Sequence, residues 1–204
     1  MRIIYLATGN AHKAQEMAAF AKASASQAGG LLVEIVMPPH MPVVEEDTGT
    51  FAGNARKKAV AVKALSPPAA WVLADDSGLC VDALDGAPGV DSAYYAGPQG
   101  DSAANLGKLV AVMQSVPEVK RGAHFMCVLV LLGPRAGEQV FEGRCAGMLR
   151  REPAGGAGFG YDPLFVPGGY DQTYAELDEA AKNKISHRAL AWQRLAEWLR
   201  RNPT

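Results

Sequence analysis

The fold class of this 204-residue chain follows from the order in which β-prone apolar runs and segments of helical periodicity succeed one another. Residues 2–7 form a β-prone apolar run, the turn Thr8-Gly9-Asn10 interrupts it, and residues 11–24 repeat small and apolar side chains at helical spacing. Asn10 is a plausible helix N-cap, because its side-chain oxygen can accept from the free amides of a first turn. The chain therefore begins with a strand, a tight turn and a helix.

The same patterns predict the remaining elements. Further strands are predicted over residues 31–36, 70–75, 123–132 and 140–150, and further helices over residues 50–64, 102–113, 174–182 and 186–201. Only residues 133–139 separate the last two strands, which predicts a hairpin and hence an antiparallel pair. Since no repeat or linker is visible, residues 1–204 are predicted to form a single α/β domain. We expect a mixed, twisted sheet of long strands, helices on its faces and two lobes around a central cleft.

Composition and charge exclude several functional classes. Lys plus Arg number 20 and Asp plus Glu number 21, so the formal net charge is −1, which disfavours binding along a nucleic-acid backbone. The longest apolar run, residues 125–132, is far shorter than the roughly 20 residues of a membrane-spanning helix. No secretory signal pattern is evident, and three widely spaced cysteines match neither a disulfide framework nor a zinc site. We expect a cytoplasmic protein with no nucleic-acid or membrane partner, and small anions remain candidate ligands.

Five carboxylates are concentrated in two short segments, Glu45-Glu46-Asp47 and Asp75-Asp76. Oxygen ligands of this kind are those that Mg²⁺ prefers. The first segment is equally consistent with a solvated acidic loop. The second is more specific, because it is predicted to end an apolar strand, and strand ends carry functional groups in α/β proteins. We interpret Ser77, which follows at once, as a turn hydroxyl near a phosphate or a metal ion.

Basic side chains occur in loops or near helix starts, at Lys13, Lys58, Lys182, His187 and Arg188. Each alone is more typical of a surface charge than of a ligand-binding group. Together with the acidic segments they indicate a ligand that carries phosphates. Lys13 falls in the first turn of a helix whose free amides favour an anion, although an ordinary helix cap accounts for the same residues.

Several common phosphate-binding and catalytic patterns are absent from the sequence. There is no G-x-x-x-x-G-K-[ST], and the glycines of residues 155–160 do not spell G-x-G-x-x-G. There is also no H-E-x-x-H, no C-x-x-C and no G-x-S-x-G around Ser77. The chain is therefore not predicted to be a P-loop nucleotidase or to use a serine nucleophile.

Five longer motifs occur in order along the chain: A-T-G-N-A-H-K, T-F-A-G-N-A-R-K-K-A, A-D-D-S-G-L-C-V-D-A-L-D-G-A-P-G-V-D-S-A, G-F-G-Y-D-P-L-F-V-P and K-N-K-I-S-H-R-A-L-A. By these motifs the chain resembles the inosine triphosphate pyrophosphatase family, also called the Ham1-like or dITP/XTP pyrophosphatases, from Arg2 to about Ala191. A single tetrapeptide of this set is a weak signal. The order and spacing of all five are highly specific.

The resemblance implies one ITPase-like domain and an enzyme that cleaves a nucleoside triphosphate between the α- and β-phosphates. The products are the monophosphate and pyrophosphate, and Mg²⁺ is the implied cofactor. The implied substrates are the deaminated purine nucleotides ITP, dITP and XTP, whose removal cleanses the nucleotide pool. A homodimer is implied as well.

The resemblance also assigns site residues by position. Asp76 is implied to be the general base, and Glu46, Asp75 and Asp76 are implied to bind the metal ion. The positions implied to lie near the phosphates are Thr8, Gly9, Asn10, Lys13, Lys58, Ser77 and Gly78. The positions implied to hold the base are Phe159, Gly160, Tyr161, Asp162, Lys182, His187 and Arg188.

Two departures from the family pattern bear on these assignments. The family commonly has E-E-T-G-x-T-F, whereas this chain places T-G one residue later, so that Glu46 or Asp47 can take the metal-binding position. We favour Glu46, because the helix that follows anchors more of the alignment. Tyr94 stands where the family often has Arg, and a contact made by that arginine is not expected here.

Two other functions are consistent with the same residues. Changes in the base-binding loop would give a pyrophosphatase of other modified nucleotides. Loss of catalysis would give a non-catalytic nucleotide-binding protein, which the retention of Glu46, Asp75 and Asp76 argues against.

Overall fold

A computed structural model of the protein describes residues 1–26, 30–134 and 137–203. Its main elements are β1 (Arg2–Ala7), α1 (Ala11–Ala25), β2 (Val33–Val36), α2 (Phe51–Ala64), β3 (Trp71–Val81), α3 (Ser102–Met113), β4 (Gly122–Leu132), β5 (Glu138–Leu149), β6 (Phe165–Pro167), α4 (Glu179–Ile185) and α5 (His187–Arg201). Short 3-10 segments cover Asp82–Leu84, Gly89–Tyr94 and Glu118–Lys120. The α/β class predicted from the sequence is confirmed.

The six strands form one sheet in the order β2-β1-β3-β4-β5-β6. Strand β1 pairs in parallel with both β2 and β3, whereas β5 and β6 are antiparallel, so the prediction of a mixed sheet is confirmed. Strands β4 and β5 are neighbours in the sheet, as the hairpin pattern predicts. Residues 135 and 136 of the connection between them lie outside the described residues.

Strand β3 differs from the prediction in a way that matters for the site. The sequence predicts that this strand ends at Asp75 and that an extended pattern resumes over residues 79–83. In the structure β3 continues through Asp75, Asp76, Ser77 and Gly78 to Val81. The strand persists because both carboxylates have cationic partners, described below.

Helix α4 begins five residues later than predicted. Residues 174–177 form turns, and the side chain of Asp178 accepts from the amide of Ala181 and so caps a helix that starts at Glu179. Tyr174 instead donates its backbone amide to the Phe165 carbonyl, 2.9 Å away, and its ring is buried. The predicted helical spacing here was wrong because Asp178 is a stronger start signal than the residues before it.

The chain divides into two compact units. The first consists of residues 1–76, 127–143 and 188–203, and in its main core Met17 and Phe20 of α1 pack with Leu129 of β4 and Trp192 of α5. The second consists of residues 77–126 and 144–187, and its core is built around Phe125, Phe165 and Tyr174. Among the described residues, no helix has the length and apolarity needed to cross a membrane.

Candidate active site

Asp75 carries the most deeply buried carboxylate of the first unit. Asp75 is 1% exposed, and its two oxygens receive hydrogen bonds from Lys13 of α1 and from Nε of Arg188, which is 2.7 Å away. The thiol of Cys127 on β4 also donates to Asp75, over 3.3 Å. Burial alone would raise the pKa of Asp75, but the charges of Arg188 and Lys13 outweigh it and hold the pKa well below 3.8. Asp75 is therefore a permanently ionised group with a complete set of partners.

Arg188 connects this carboxylate to a second one. Its guanidinium is 1% exposed and also donates to Glu16 of α1. Burial opposes the charged form, but Asp75 and Glu16 raise the pKa of Arg188 above its ordinary value. The sequence-based assignment placed Arg188 with the base-binding residues. In the structure Arg188 donates to the buried carboxylate of Asp75 and to the partly buried one of Glu16, and its role near the base stays a prediction.

Asp76 has a different environment from that of its neighbour. One of its oxygens accepts a hydrogen bond from Lys58 of α2 at 2.8 Å, and the same ammonium group lies 2.8 Å from Glu46. The other oxygen, Oδ2, is buried and has no hydrogen-bond partner within the part of the chain that the structure describes. Burial raises the pKa of Asp76 to about 7, against the opposing charges of Lys58 and Lys13. A carboxyl group in this state can accept a proton at neutral pH.

The structure distinguishes between the two candidate loop ligands. Glu46 reaches Lys58, and burial, which would raise its pKa, is outweighed by the hydrogen bond and charge of that lysine, which lower it. The Asp47 side chain is 60% exposed and pairs with Lys57 instead. The geometry therefore favours Glu46, as the sequence analysis does.

The pair Glu46 and Asp76 fits a hard divalent cation. Both are carboxylates, they converge on one ammonium group, and Asp76 Oδ2 is a buried acceptor without a partner among the described residues. Those residues contain no group of three or more His, Cys, Asp or Glu that could hold a metal ion. In the structure both oxygens of Asp75 accept hydrogen bonds, from Lys13 and Arg188, and the predicted role of Asp75 as a metal ligand stays a prediction.

The turn before α1 has the polar geometry predicted for it. The side chain of Asn10 accepts from the amides of His12 and Lys13, which confirms the N-cap, and the Asn10 amide donates to Thr8 Oγ1 at 3.1 Å. Thr8 is buried, while Gly9 and Asn10 are exposed. The turn thus leads into a capped helix whose first turn carries Lys13.

A second group of predicted residues lies in the second unit. Nζ of Lys182 on α4 lies 2.7 Å from Asp162 Oδ2 and 5.3 Å from the centre of the Phe159 ring. The same oxygen of Asp162 accepts from the Phe159 amide at 2.9 Å. Gly158 makes this possible: its φ is +75°, and a Cβ there would lie 2.2 Å from Asp162 Oδ2. The glycine-rich loop therefore holds a buried ion pair beside an aromatic face.

Other predicted residues of this unit have structural partners. Tyr161 is buried and donates to the Ser92 carbonyl at 2.8 Å, and burial raises the pKa of its phenol. The ring of His187 stacks on Phe125, with centroids 4.7 Å apart. A Cβ on Gly78 would lie 2.1 Å from the Gly89 carbonyl oxygen, so glycine is required at that position. The remaining ones, Ser77 and Gly160, are half-buried.

The sequence analysis missed three residues of the first unit that contact the predicted site residues or the Glu46 loop: Glu16, Cys127 and Asn54. Glu16 lies one turn after Lys13 on the same helix, a spacing that does signal a shared face. Cys127 gave no signal, because a cysteine within an apolar strand is ordinary in a sequence, and Asn54 lies in the motif T-F-A-G-N-A-R-K-K-A but was given no role. Only their positions in the fold connect them to Asp75 and to the Glu46 loop, respectively.

The comparisons with known proteins agree on one family. The profile of the Ham1 family matches residues 4–198. The chain is 58% identical to the dITP/XTP pyrophosphatase of Opitutus terrae, with 98% of this chain and 99% of that protein covered. It is 46% identical to that of Desulforamulus reducens, with 97% and 96% covered.

Solved structures give the same result. The structure of a Ham1 protein from Coxiella burnetii matches with a TM-score of 0.84 and 34% identity, over 99% of this chain and 100% of that one. The Ham1 protein of Staphylococcus aureus matches with a TM-score of 0.80 and 34% identity, over 97% and 98%.

The raised pKa of Asp76 predicts that neutralising this residue stabilises the metal-free protein. An aspartate of pKa 3.8 in the unfolded chain and about 7 in the folded one favours folding below 3.8, and this contribution is lost as the pH rises through 7. Asp76→Asn should therefore raise the free energy of unfolding by about 4 kcal/mol near pH 8 and by little near pH 4.

Urea unfolding in EDTA at several pH values measures this difference, with Asp47→Asn as the control for an exposed acid. Equal stabilisation by Asp76→Asn at pH 4 and pH 8, or destabilisation near pH 8, would contradict a raised pKa of Asp76 in the folded protein.

Proposed function

This chain belongs to the Ham1 family, and from that premise we propose that it hydrolyses the triphosphates of deaminated purine nucleosides. The bond cleaved is the one between the α- and β-phosphates, and the products are a nucleoside monophosphate and pyrophosphate. The names of the similar proteins from two organisms support dITP and XTP as substrates, with ITP as their close analogue. The activity removes these nucleotides from the pool of DNA and RNA precursors.

The observation that carries the proposal is the state of Asp76. It combines a pKa of about 7, a buried oxygen without a partner among the described residues, and a lysine at 2.8 Å. A non-catalytic nucleotide-binding protein gains nothing from burying a carboxyl group in this state at a cost to stability. This disfavours the binding-protein alternative.

Asp76 is proposed to act as the general base. Its carboxylate takes a proton from a water molecule as the water oxygen bonds to the α-phosphorus, while the bond to the bridging oxygen breaks and pyrophosphate leaves. Asp75 cannot take this role, because its pKa is held well below 3.8 by two cations.

Lys58, Lys13 and the N-terminus of α1 are proposed to neutralise the phosphate oxygens. Lys13 is held by Asp75, and Lys58 by Glu46 and Asp76, so that each ammonium group is positioned before a substrate binds. We assign Glu46 and Asp76 as the protein ligands of Mg²⁺, and water and phosphate oxygens would complete its coordination. The ion supplies Lewis-acid polarisation of the phosphates.

The base is proposed to bind to the loop of the second unit. Phe159 offers an aromatic face, Lys182 a hydrogen-bond donor and Asp162 an acceptor. A 6-oxo group accepts from the lysine, whereas the 6-amino group of adenine would face a donor with a donor. Such buried mismatches discriminate between substrates far better than an apolar pocket does. Homodimer formation and a cytoplasmic location stay predictions from the family resemblance.

Pyrophosphate release tests the function directly. We expect turnover of dITP, XTP and ITP well above that of ATP and GTP in Mg²⁺, and loss of turnover in EDTA. Turnover of all five nucleotides alike would remove the base assignment and favour the alternative of a pyrophosphatase with other substrates. No turnover of any would contradict the proposed activity.

The base assignment predicts the effect of Lys182→Met. This change removes the proposed donor to the 6-oxo group, so the ratio of kcat/KM for dITP over dATP should fall about tenfold or more. Lys184→Met is the matched control, because Lys184 lies on the same helix and is exposed. An unchanged ratio in Lys182→Met, or the same loss in the control, would show that Lys182 does not select the base.

A further inference from the structure

Asn54 is a buried polar residue to which none of the assignments above gives a role. It lies in the first turns of α2 and is 0% exposed. Its side-chain oxygen accepts two hydrogen bonds from one residue, from the amide of Thr48 at 3.1 Å and from the hydroxyl of Thr48 at 2.7 Å. One side chain of the helix therefore fixes both the backbone and the side chain of the loop residue two positions after Glu46.

The loop around Thr48 lies directly against the start of α2. A Cβ on Gly53 would lie 2.3 Å from Thr48 Oγ1, so the loop is seated directly on the helix backbone. Thr48 Oγ1 lies 3.1 Å from the Thr50 carbonyl oxygen, and Thr50 in turn caps the helix by accepting from the Gly53 amide. Residues 48–54 thus form one hydrogen-bonded unit in which Asn54 is the buried member.

The same helix carries the cation that faces both proposed metal ligands. Lys58 follows Asn54 by four residues, which places both side chains on one face of α2. Its ammonium group lies 2.8 Å from Glu46 and 2.8 Å from Asp76. Helix α2 therefore sets the position of Glu46 in two ways, through Lys58 at the carboxylate and through Asn54 at the backbone beyond it.

The two halves of the Asn54 amide differ, because only its oxygen has hydrogen-bond partners among the described residues. Its Nδ2 is buried and has no hydrogen-bond partner among the described residues. A buried donor without an acceptor costs about 1–3 kcal/mol. An apolar side chain of similar size would avoid this cost, so the acceptor oxygen serves another purpose.

We propose that Asn54 is a positioning residue for the metal site, which fixes the loop at Thr48 so that the carboxylate of Glu46 faces Asp76. The inference rests on the proposed function in one respect, the assignment of Glu46 and Asp76 as metal ligands. It goes beyond that function by giving a role to a residue outside the proposed metal ligands and substrate-binding residues.

Binding of Mn²⁺ to the free protein, followed by electron paramagnetic resonance, tests the proposal without substrate. Asn54→Leu removes the acceptor at similar volume, and Thr48→Val removes the hydroxyl donor at an exposed position. Both variants should weaken Mn²⁺ binding, Asn54→Leu roughly tenfold. The double variant should bind Mn²⁺ no more weakly than Asn54→Leu, because both changes disrupt the same contact between Asn54 and Thr48.

The matched control is Asn105→Leu. Asn105 is 3% exposed and likewise fixes a loop, by accepting from the Ala96 amide at 2.6 Å and donating to the Ala93 carbonyl at 2.8 Å. It belongs to the second unit and should leave Mn²⁺ binding unchanged. Thermal unfolding, measured for each variant, establishes which of them are folded. If Asn54→Leu does not fold, Mn²⁺ binding to Thr48→Val decides the test.

Unchanged Mn²⁺ affinity in the folded variants would overturn the proposal, as would additive losses in the double variant or an equal loss in Asn105→Leu. In the turnover assay the expected signature is a raised KM for the metal ion with kcat restored at saturating metal. If the wild-type protein released no pyrophosphate from any nucleotide, the proposed function would fail, while the Mn²⁺ titrations would still decide the role of Asn54.

Discussion

The buried carboxylate of Asp75 is the interaction on which the first unit depends. Transfer of an unpaired carboxylate from water to the protein interior is prohibitively unfavourable, so its burial requires cations of fixed position. Arg188 supplies one from α5 and Lys13 another from α1, and Cys127 adds a thiol donor from β4. Four elements are thus held at one point in the middle of β3. Glu16 extends the network by giving Arg188 a second carboxylate.

Asp76, the next residue of β3, has the opposite shift in pKa. Successive residues of a strand point to opposite faces of a sheet, so Asp75 and Asp76 enter different environments although they are bonded to each other. Two cations keep Asp75 ionised, whereas burial near another carboxylate raises the pKa of Asp76. Enzymes commonly assign acid and base roles by separating the pKa values of neighbouring groups in this way. Here a single dipeptide provides both a fixed charge and a group that can take up a proton.

Much of the fold was predictable because its signals are local. Helical spacing and the Asn10 cap located α1 to within a residue, and hairpin spacing identified β4 and β5 as neighbours. The extent of β3 was not predictable, since only a partner distant in sequence, such as Arg188, makes an acidic pair compatible with a buried strand. The start of α4 was missed for a local reason, because the Asp178 cap outweighed the apolar spacing before it.

The site was predicted in its residue types but not in all of its roles. Motif order located the acidic and basic positions, and the structure joins Glu46, Asp76 and Lys58 by ion pairs. Motif order carries no information on which charges neutralise one another. The sequence analysis therefore assigned Asp75 to the metal ion and Arg188 to the base without predicting that the two side chains pair with each other. Charge pairing between distant segments has to be read from coordinates.

The central claim is that Asp75 is a fixed charge and Asp76 a titrating base. Carboxyl carbon chemical shifts, measured by nuclear magnetic resonance on metal-free protein labelled with ¹³C at aspartate, test it most directly. Asp75→Asn and Asp76→Asn assign the two signals. The account predicts an Asp75 signal that does not change between about pH 8 and pH 4, and an Asp76 signal that titrates with a midpoint near 7. Titration of Asp75 within that range, or a midpoint for Asp76 close to the ordinary value of 3.8, would contradict it.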